Sequence, residues 1–210
     1  MIIIFESPLD YAWKDEMPEP GSELSFILNA TKFAAAKHRQ QQRKDGKTPY
    51  INHPVEVAEL LSRIARVTDP EVIAAALLHD TIEDTDTQPH EISTAFGDRV
   101  LSLVQECTDD KSLPKAERKR LQVENASHKS DEAKLIKIAD KMSNIRDVAD
   151  TPPTQWEWQR RWDYLEWAQK VVDGLKGVNY ELDKAFEDTM KVCRQKVQAQ
   201  KSESVSGKAP

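Results

Sequence analysis

Apolar positions recur at helical spacing along most of the chain, and only six of the 210 residues are glycine, so the pattern predicts helix almost throughout. Phe26, Ile27, Ala30, Phe33 and Ala34 form the apolar stripe of a first helix. It is expected to run to Lys44, where the turn chemistry of Asp45-Gly46-Lys47-Thr48-Pro49 stops it. A second helix opens at His53-Pro54, where the missing N–H of proline does no harm, and it buries Val57, Leu60, Leu61 and Ile64. Thr68-Asp69-Pro70-Glu71 is another helix start, with an N-cap residue ahead of proline and an acid in the first turn. The run from Val72 to Leu78 is apolar all round, the mark of a helix in the middle of a domain. It ends in His79-Asp80-Thr81-Ile82-Glu83-Asp84, which places a histidine and three carboxylates close to the core.

Residues 85–100 read as a loop and a short helix closing at Gly97, and Leu101, Leu103 and Val104 begin the next helix. A basic segment around Pro114 follows. Glu132 to Val148 is a helix carrying Leu135, Ile136, Ile138, Ala139, Met142 and Ile145, and Pro152-Pro153 interrupts the pattern after it. Trp156, Trp158, Trp162, Tyr164 and Trp167 mark a long aromatic-rich helix, and Leu182, Ala185, Phe186 and Met190 a last stripe. The fold class is therefore all-α: a single helical-bundle domain over 23–196, an N-terminal arm over 1–22 rich in proline, and a disordered tail over 197–210.

Composition narrows the function classes. With 39 % hydrophobic and 31 % charged residues the chain is neither disordered nor a membrane protein, and no run reaches the roughly 18 apolar residues of a spanning helix. The apolar opening Met1 to Phe5 stops at Glu6 and lacks the basic start of a secretory signal. Two distant cysteines, Cys107 and Cys193, exclude a disulfide framework and suit a reducing cytoplasm. A net charge of −6 argues against a grip on long nucleic acid. The basic residues are nonetheless gathered, in Lys37, Arg39, Arg43, Lys44 and Lys47 and again in Lys111, Lys115, Arg118, Lys119 and Arg120. These are either solvated faces or the walls of a site for a compact polyanion such as a nucleotide with several phosphates.

Candidate chemistry centres on the HD pair. Helical spacing sets His79 above Glu83 and Asp80 above Asp84, and neighbours about 100° apart such as His79 and Asp80 can converge on one ion. Asp140 sits inside an apolar stripe, where an unpaired charge is costly, and His53 stands at a helix start. Two histidines and two carboxylates make a mixed nitrogen–oxygen site suited to manganese, iron or zinc. The alternative is that His53 caps its helix and Asp140 pairs with a lysine.

Three segments carry a resemblance. His38 to Gly46 with Thr48-Pro49-Tyr50-Ile51-Asn52-His53-Pro54, then Leu77-Leu78-His79-Asp80-Thr81-Ile82-Glu83-Asp84-Thr85, then Lys137 to Arg146, resemble in order the signatures of the RelA/SpoT-type HD-domain alarmone hydrolases. Thr108 to Lys115 and Tyr164 to Ala168 look like the stand-alone branch, the small alarmone hydrolases. The resemblance implies removal of the 3′-pyrophosphate from guanosine 3′,5′-bispyrophosphates, with manganese as cofactor and a small nucleotide as the partner. It implies His53, His79, Asp80 and Asp140 as metal ligands, Glu83 and Asp84 as the catalytic pair, and Arg43, Lys44 and Lys115 as residues near the nucleotide. Asn144, one turn beyond Asp140, faces the same pocket, and Tyr164 either lines the nucleotide or belongs to the core. His38 is expected to be structural. Two other functions stay open: a broader nucleotide phosphohydrolase acting on adenosine alarmones or NADPH, and an alarmone-binding regulator without turnover.

Overall fold

The computed structural model describes residues 22–153 and 155–206, so nearly all of the arm expected at 1–22 lies outside the described residues, as does the end of the chain from 207. In chain order the helices are α1 (Glu23–Lys37), α2 (Asn52–Arg63), α3 (Pro70–Leu78), α4 (Thr81–Asp84), α5 (Pro89–Phe96), α6 (Asp98–Cys107), α7 (Lys115–Glu124), a 3-10 turn (Ala126–His128), α8 (Asp131–Asp150), α9 (Trp158–Asp173) and α10 (Tyr180–Ser206). Among the described residues the extended pairing is limited to one isolated antiparallel bridge, Gln42 to Pro49. None of the described helices is long and apolar enough to cross a membrane.

Two helices organise the core. α3, capped by the Asp69 carboxylate on the Glu71 N–H and opened by Pro70, is buried at every position from Val72 to Leu78 and packs on α1, α2 and α6. α8 is capped by Ser130 and packs on α2, α9 and α10. α5 and α6 meet at Gly97, whose φ of +89° is open to glycine and strained for other residues. Leu78 is 0 % exposed at the very end of α3, directly before His79, so Leu78→Ala leaves a void under the HD pair. It should lower the stability by about 2–5 kcal/mol, read as a lower denaturant midpoint at unchanged slope.

Two boundaries differ from the sequence pattern. α1 ends at Lys37 rather than Lys44, because tertiary contacts claim the next residues. His38 stacks on Tyr50 with ring centroids 4.7 Å apart, Gln41 bonds the Asp84 carbonyl, and the Arg43 and Tyr50 N–H groups bond the Thr48 and Gln41 carbonyls. The resulting loop lays Arg43 and Lys44 beside α8. α10, in turn, continues to Ser206, into the segment expected as a tail. Val197 is fully buried, and Gln200 bonds both Arg161 and the Ala149 carbonyl, which holds this last stretch against α8 and α9.

Candidate active site

The HD pair lies where α3 stops. His79 and Asp80 form the link to the single turn of α4, yet both keep right-handed helical dihedrals. The Asp84 N–H still bonds the Asp80 carbonyl at 2.8 Å, so the four-residue spacing survives the break. The His79 Nδ1–H donates to the Ala76 carbonyl at 2.7 Å, which fixes the tautomer and leaves Nε2 with its lone pair toward the cluster. That Nε2 is buried and has no hydrogen-bond partner. His53, the second residue of α2, is held through Nδ1 by the Ser143 hydroxyl at 2.9 Å, and Ser143 donates to Glu56, which Arg146 pairs.

His53, His79 and Asp80 each offer one ligand atom, all within 4.8 Å of one another. The Asp80 Oδ2 is 3.1 Å from the His79 Nε2 and 3.5 Å from that of His53. Asp140 Oδ1 stands 3.3 Å from the His53 Nε2 and 4.0 Å from the His79 Nε2, at the edge of this group. Its two oxygens are also engaged: Oδ1 by the Asn144 amide, and Oδ2 by the buried Lys141 ammonium at 2.8 Å. Asp140 thus both faces the cluster and pairs with a lysine, while no side chain, His53 included, caps α2. A buried polar atom without a partner, on a mixed nitrogen–oxygen donor set, fits a divalent transition metal. Burial opposes ionisation of Asp80 and Asp140. The polar imidazoles of His79 and His53 beside Asp80, and the Lys141 ammonium beside Asp140, overcome it and hold both carboxyls well below the usual range.

The acidic pair that follows is split in direction. Asp84 shares the Tyr50 hydroxyl with Asp80, at 3.1 and 2.7 Å, and is paired by Lys111. Glu83 turns instead to the loop between α6 and α7. There it accepts the Asp109 N–H at 3.0 Å and lies 3.6 Å from the Arg118 guanidinium. Burial pushes the Glu83 carboxyl above its ordinary value, against the pull of that N–H, and the negative charges of Asp109 and Asp80 add to the rise.

On the other side of Asp140 a recess is lined by Arg43, Lys44, Asn144, Asp147, Thr151 and Tyr164. Arg43 reaches it half-buried, donating to Asp147 and Asn144 at 2.7 and 2.8 Å. The Lys44 ammonium is 5.5 Å from the Trp156 ring. Tyr164 packs between Trp156 and Trp167, and burial drives its hydroxyl well above the normal range. Lys115 stands outside this lining, on the first turn of α7. Tyr50, Glu56, Lys141, Ser143 and Asp147 were not singled out from the sequence. Tyr50, Lys141 and Ser143 lie inside the motif segments quoted above, which is the signal that could have found them.

A family model described as "HD domain" matches residues 30–165. The chain belongs to the HD-domain family. This HD-domain protein is 54 % identical over 172 residues to human guanosine-3′,5′-bis(diphosphate) 3′-pyrophosphohydrolase MESH1, covering 81 % of this chain and 96 % of that one. It is 52 % identical over 158 residues to the Drosophila melanogaster protein of the same name, covering 75 % and 88 %. Among solved structures it resembles one described as a metazoan ortholog of SpoT that hydrolyses ppGpp and plays a role in starvation responses. The TM-score is 0.77 and the identity 47 %, over 84 % of this chain and 97 % of that one. A Listeria monocytogenes structure aligns with TM-score 0.59 at 28 % identity, over 71 % of this chain and 96 % of that one.

Proposed function

We propose that this HD-domain protein is a manganese-dependent hydrolase that removes the 3′-pyrophosphate from guanosine 3′,5′-bispyrophosphates. The carrying observation is the convergence of His53, His79 and Asp80, with the unpartnered His79 Nε2, beside a half-buried Glu83. These three and Asp140 would hold the cation, and a bound divalent ion supplies polarisation of the scissile phosphate and a lowered pKa for water. Glu83 takes the proton of the attacking water, while Asp84 orients it. The new bond joins the water oxygen to phosphorus, the bond from phosphorus to the 3′-oxygen breaks, and the proton ends on that oxygen. Arg43, Lys44, Lys115, Asn144 and Tyr164 bind the nucleotide. Pyrophosphate release from guanosine and adenosine 3′-diphosphates, with and without manganese, tests the proposal, and no release from the guanosine compounds overturns it.

Two expected results follow from the geometry. Arg43→Ala and Lys44→Ala should weaken nucleotide binding by about 1.5–3 kcal/mol each while metal content stays at the wild-type level, as titration calorimetry and metal analysis would read. An unchanged affinity would make this basic loop a solvated face. The raised Glu83 carboxyl must be ionised to accept a proton, so turnover should fall as the pH drops through a value above the ordinary 4.5 of a glutamic acid. That acid limb should vanish from the pH profile of Glu83→Gln.

A further inference from the structure

α7 carries positive charge where a helix is least suited to hold it. Lys115 sits in its first turn, at the positive end of the helix dipole, and no side chain caps that end. Lys119 follows four residues later on the same face, so two like charges stand one above the other. Neither ammonium, nor that of Lys44, has a carboxylate within salt-bridge distance among the described residues, although neighbouring cations do: Lys111 with Asp84, Arg118 with Glu83, Arg120 with Glu117 and Glu124.

Aromatic rings take the place of acids. The Lys119 ammonium lies 4.3 Å from the Trp167 ring centroid and 5.6 Å from that of Tyr164, and the Trp167 indole N–H bonds the Lys119 carbonyl at 3.0 Å. Lys141, 2.8 Å from Asp140, is 5.0 Å from the same Trp167 ring. A continuous path of side chains therefore leads from the metal cluster through Lys141 and Trp167 to Lys119. Burial and the charges of Lys115, Lys141 and Lys44 all press the Lys119 ammonium toward its neutral form, with Asp163 acting the other way. Self-repelling ammoniums grouped over aromatic faces form an anion site whose repulsion is relieved when a polyphosphate enters.

We infer that Lys119, held over Trp167, is a specificity residue that reads the number of phosphates at the 5′ end of the nucleotide. This rests on the function proposed above, which puts the scissile 3′-pyrophosphate at the His53–His79–Asp80 cluster; the carboxylate-free ammoniums of Lys115 and Lys119 then make α7 the cationic wall that receives the 5′ phosphates. Arg43 is bound to Asp147 and Asn144, Lys44 lines the recess and Lys115 stands exposed at the start of α7, so the ammonium held in place for the outermost phosphate is that of Lys119, over Trp167. A 5′-monophosphate is too short to need it.

The test is Lys119→Met, which keeps the aliphatic stem over Trp167 and removes only the charge. The substrates are guanosine 3′-diphosphates bearing one, two or three phosphates at the 5′ position. The expected result is a KM about tenfold higher for the 5′-triphosphate, a KM for the 5′-monophosphate that moves by no more than about twofold, and kcat unchanged for all three. Lys119→Arg should restore the triphosphate KM. An equal change for all three compounds, or none, overturns the inference. Inorganic triphosphate binding to wild type and variant, measured by calorimetry, separates this from the proposed function. If wild type cleaves none of the nucleotides, the function falls, and weaker triphosphate binding by Lys119→Met still upholds the anion site. Equal triphosphate binding by the two proteins overturns the site itself.

Discussion

Glu83→Gln is expected to cut turnover by about 10²–10⁴-fold while manganese content and nucleotide affinity stay near the wild-type level. The substitution keeps the shape of the side chain and its contacts to the Asp109 N–H, but removes the proton acceptor. Glu83 offers no atom to the group formed by His53, His79 and Asp80, so the ion should not depend on it. Asp84 lies on the same single turn and can take part of the work, held by Tyr50 and Lys111. The pair Glu83→Gln with Asp84→Asn should therefore fall further than either alone. Loss of metal from Glu83→Gln would make Glu83 a ligand, and undiminished turnover in the pair would remove both carboxylates from the proton transfer.

The second large effect is expected at the cluster itself. Asp80→Ala and His79→Ala should each bring bound manganese close to zero and activity to background, because each removes one donor and leaves the others without a balancing partner. A cation held only by the folded site stabilises the folded state, so added manganese should raise the melting temperature of the wild-type protein and leave that of either variant unmoved. Metal per chain and the melting shift are independent measurements. Near-stoichiometric manganese in either variant would remove that residue from the ligand set.

The helices were legible because their signals are local. The apolar run Val72 to Leu78 behind Asp69-Pro70 becomes the buried α3, and Ser130 ahead of the stripe of α8 becomes its cap. The grouping of His53, His79 and Asp80 near Asp140 was legible in part, since His79 and Asp80 are adjacent, Asp140 sits inside an apolar stripe and His53 stands at a helix start. What escaped depends on contacts between distant residues. The segment from His38 to Lys44 is rich in good helix formers, and only its contacts with Tyr50 and Asp84 turn it into a loop. Glu83 shares a helical face with His79 by spacing, yet the Asp109 N–H in the loop after α6 and the Arg118 guanidinium on α7 draw its carboxylate away. Lys137 and Lys141 are nearly inaccessible, though amphipathic patterning sends lysine outward. Their ammoniums end on the Cys107 carbonyl and on Asp140, partners that no periodicity reveals.

The aromatic wall gives the protein a built-in optical reporter. Trp158 and Trp162 stack on each other at 6.1 Å at the N-terminal end of α9, with the Lys201 ammonium of α10 over Trp158. Trp156 lies under Lys44 and Arg160, and Trp167 under Lys119 and Lys141. A cation over an indole shifts its emission, and an anion that draws the cation off shifts it back. Intrinsic fluorescence should therefore change as the cationic side of the cleft fills, with Trp158 and Trp162 as a steady background, so that occupancy can be followed in real time without a label.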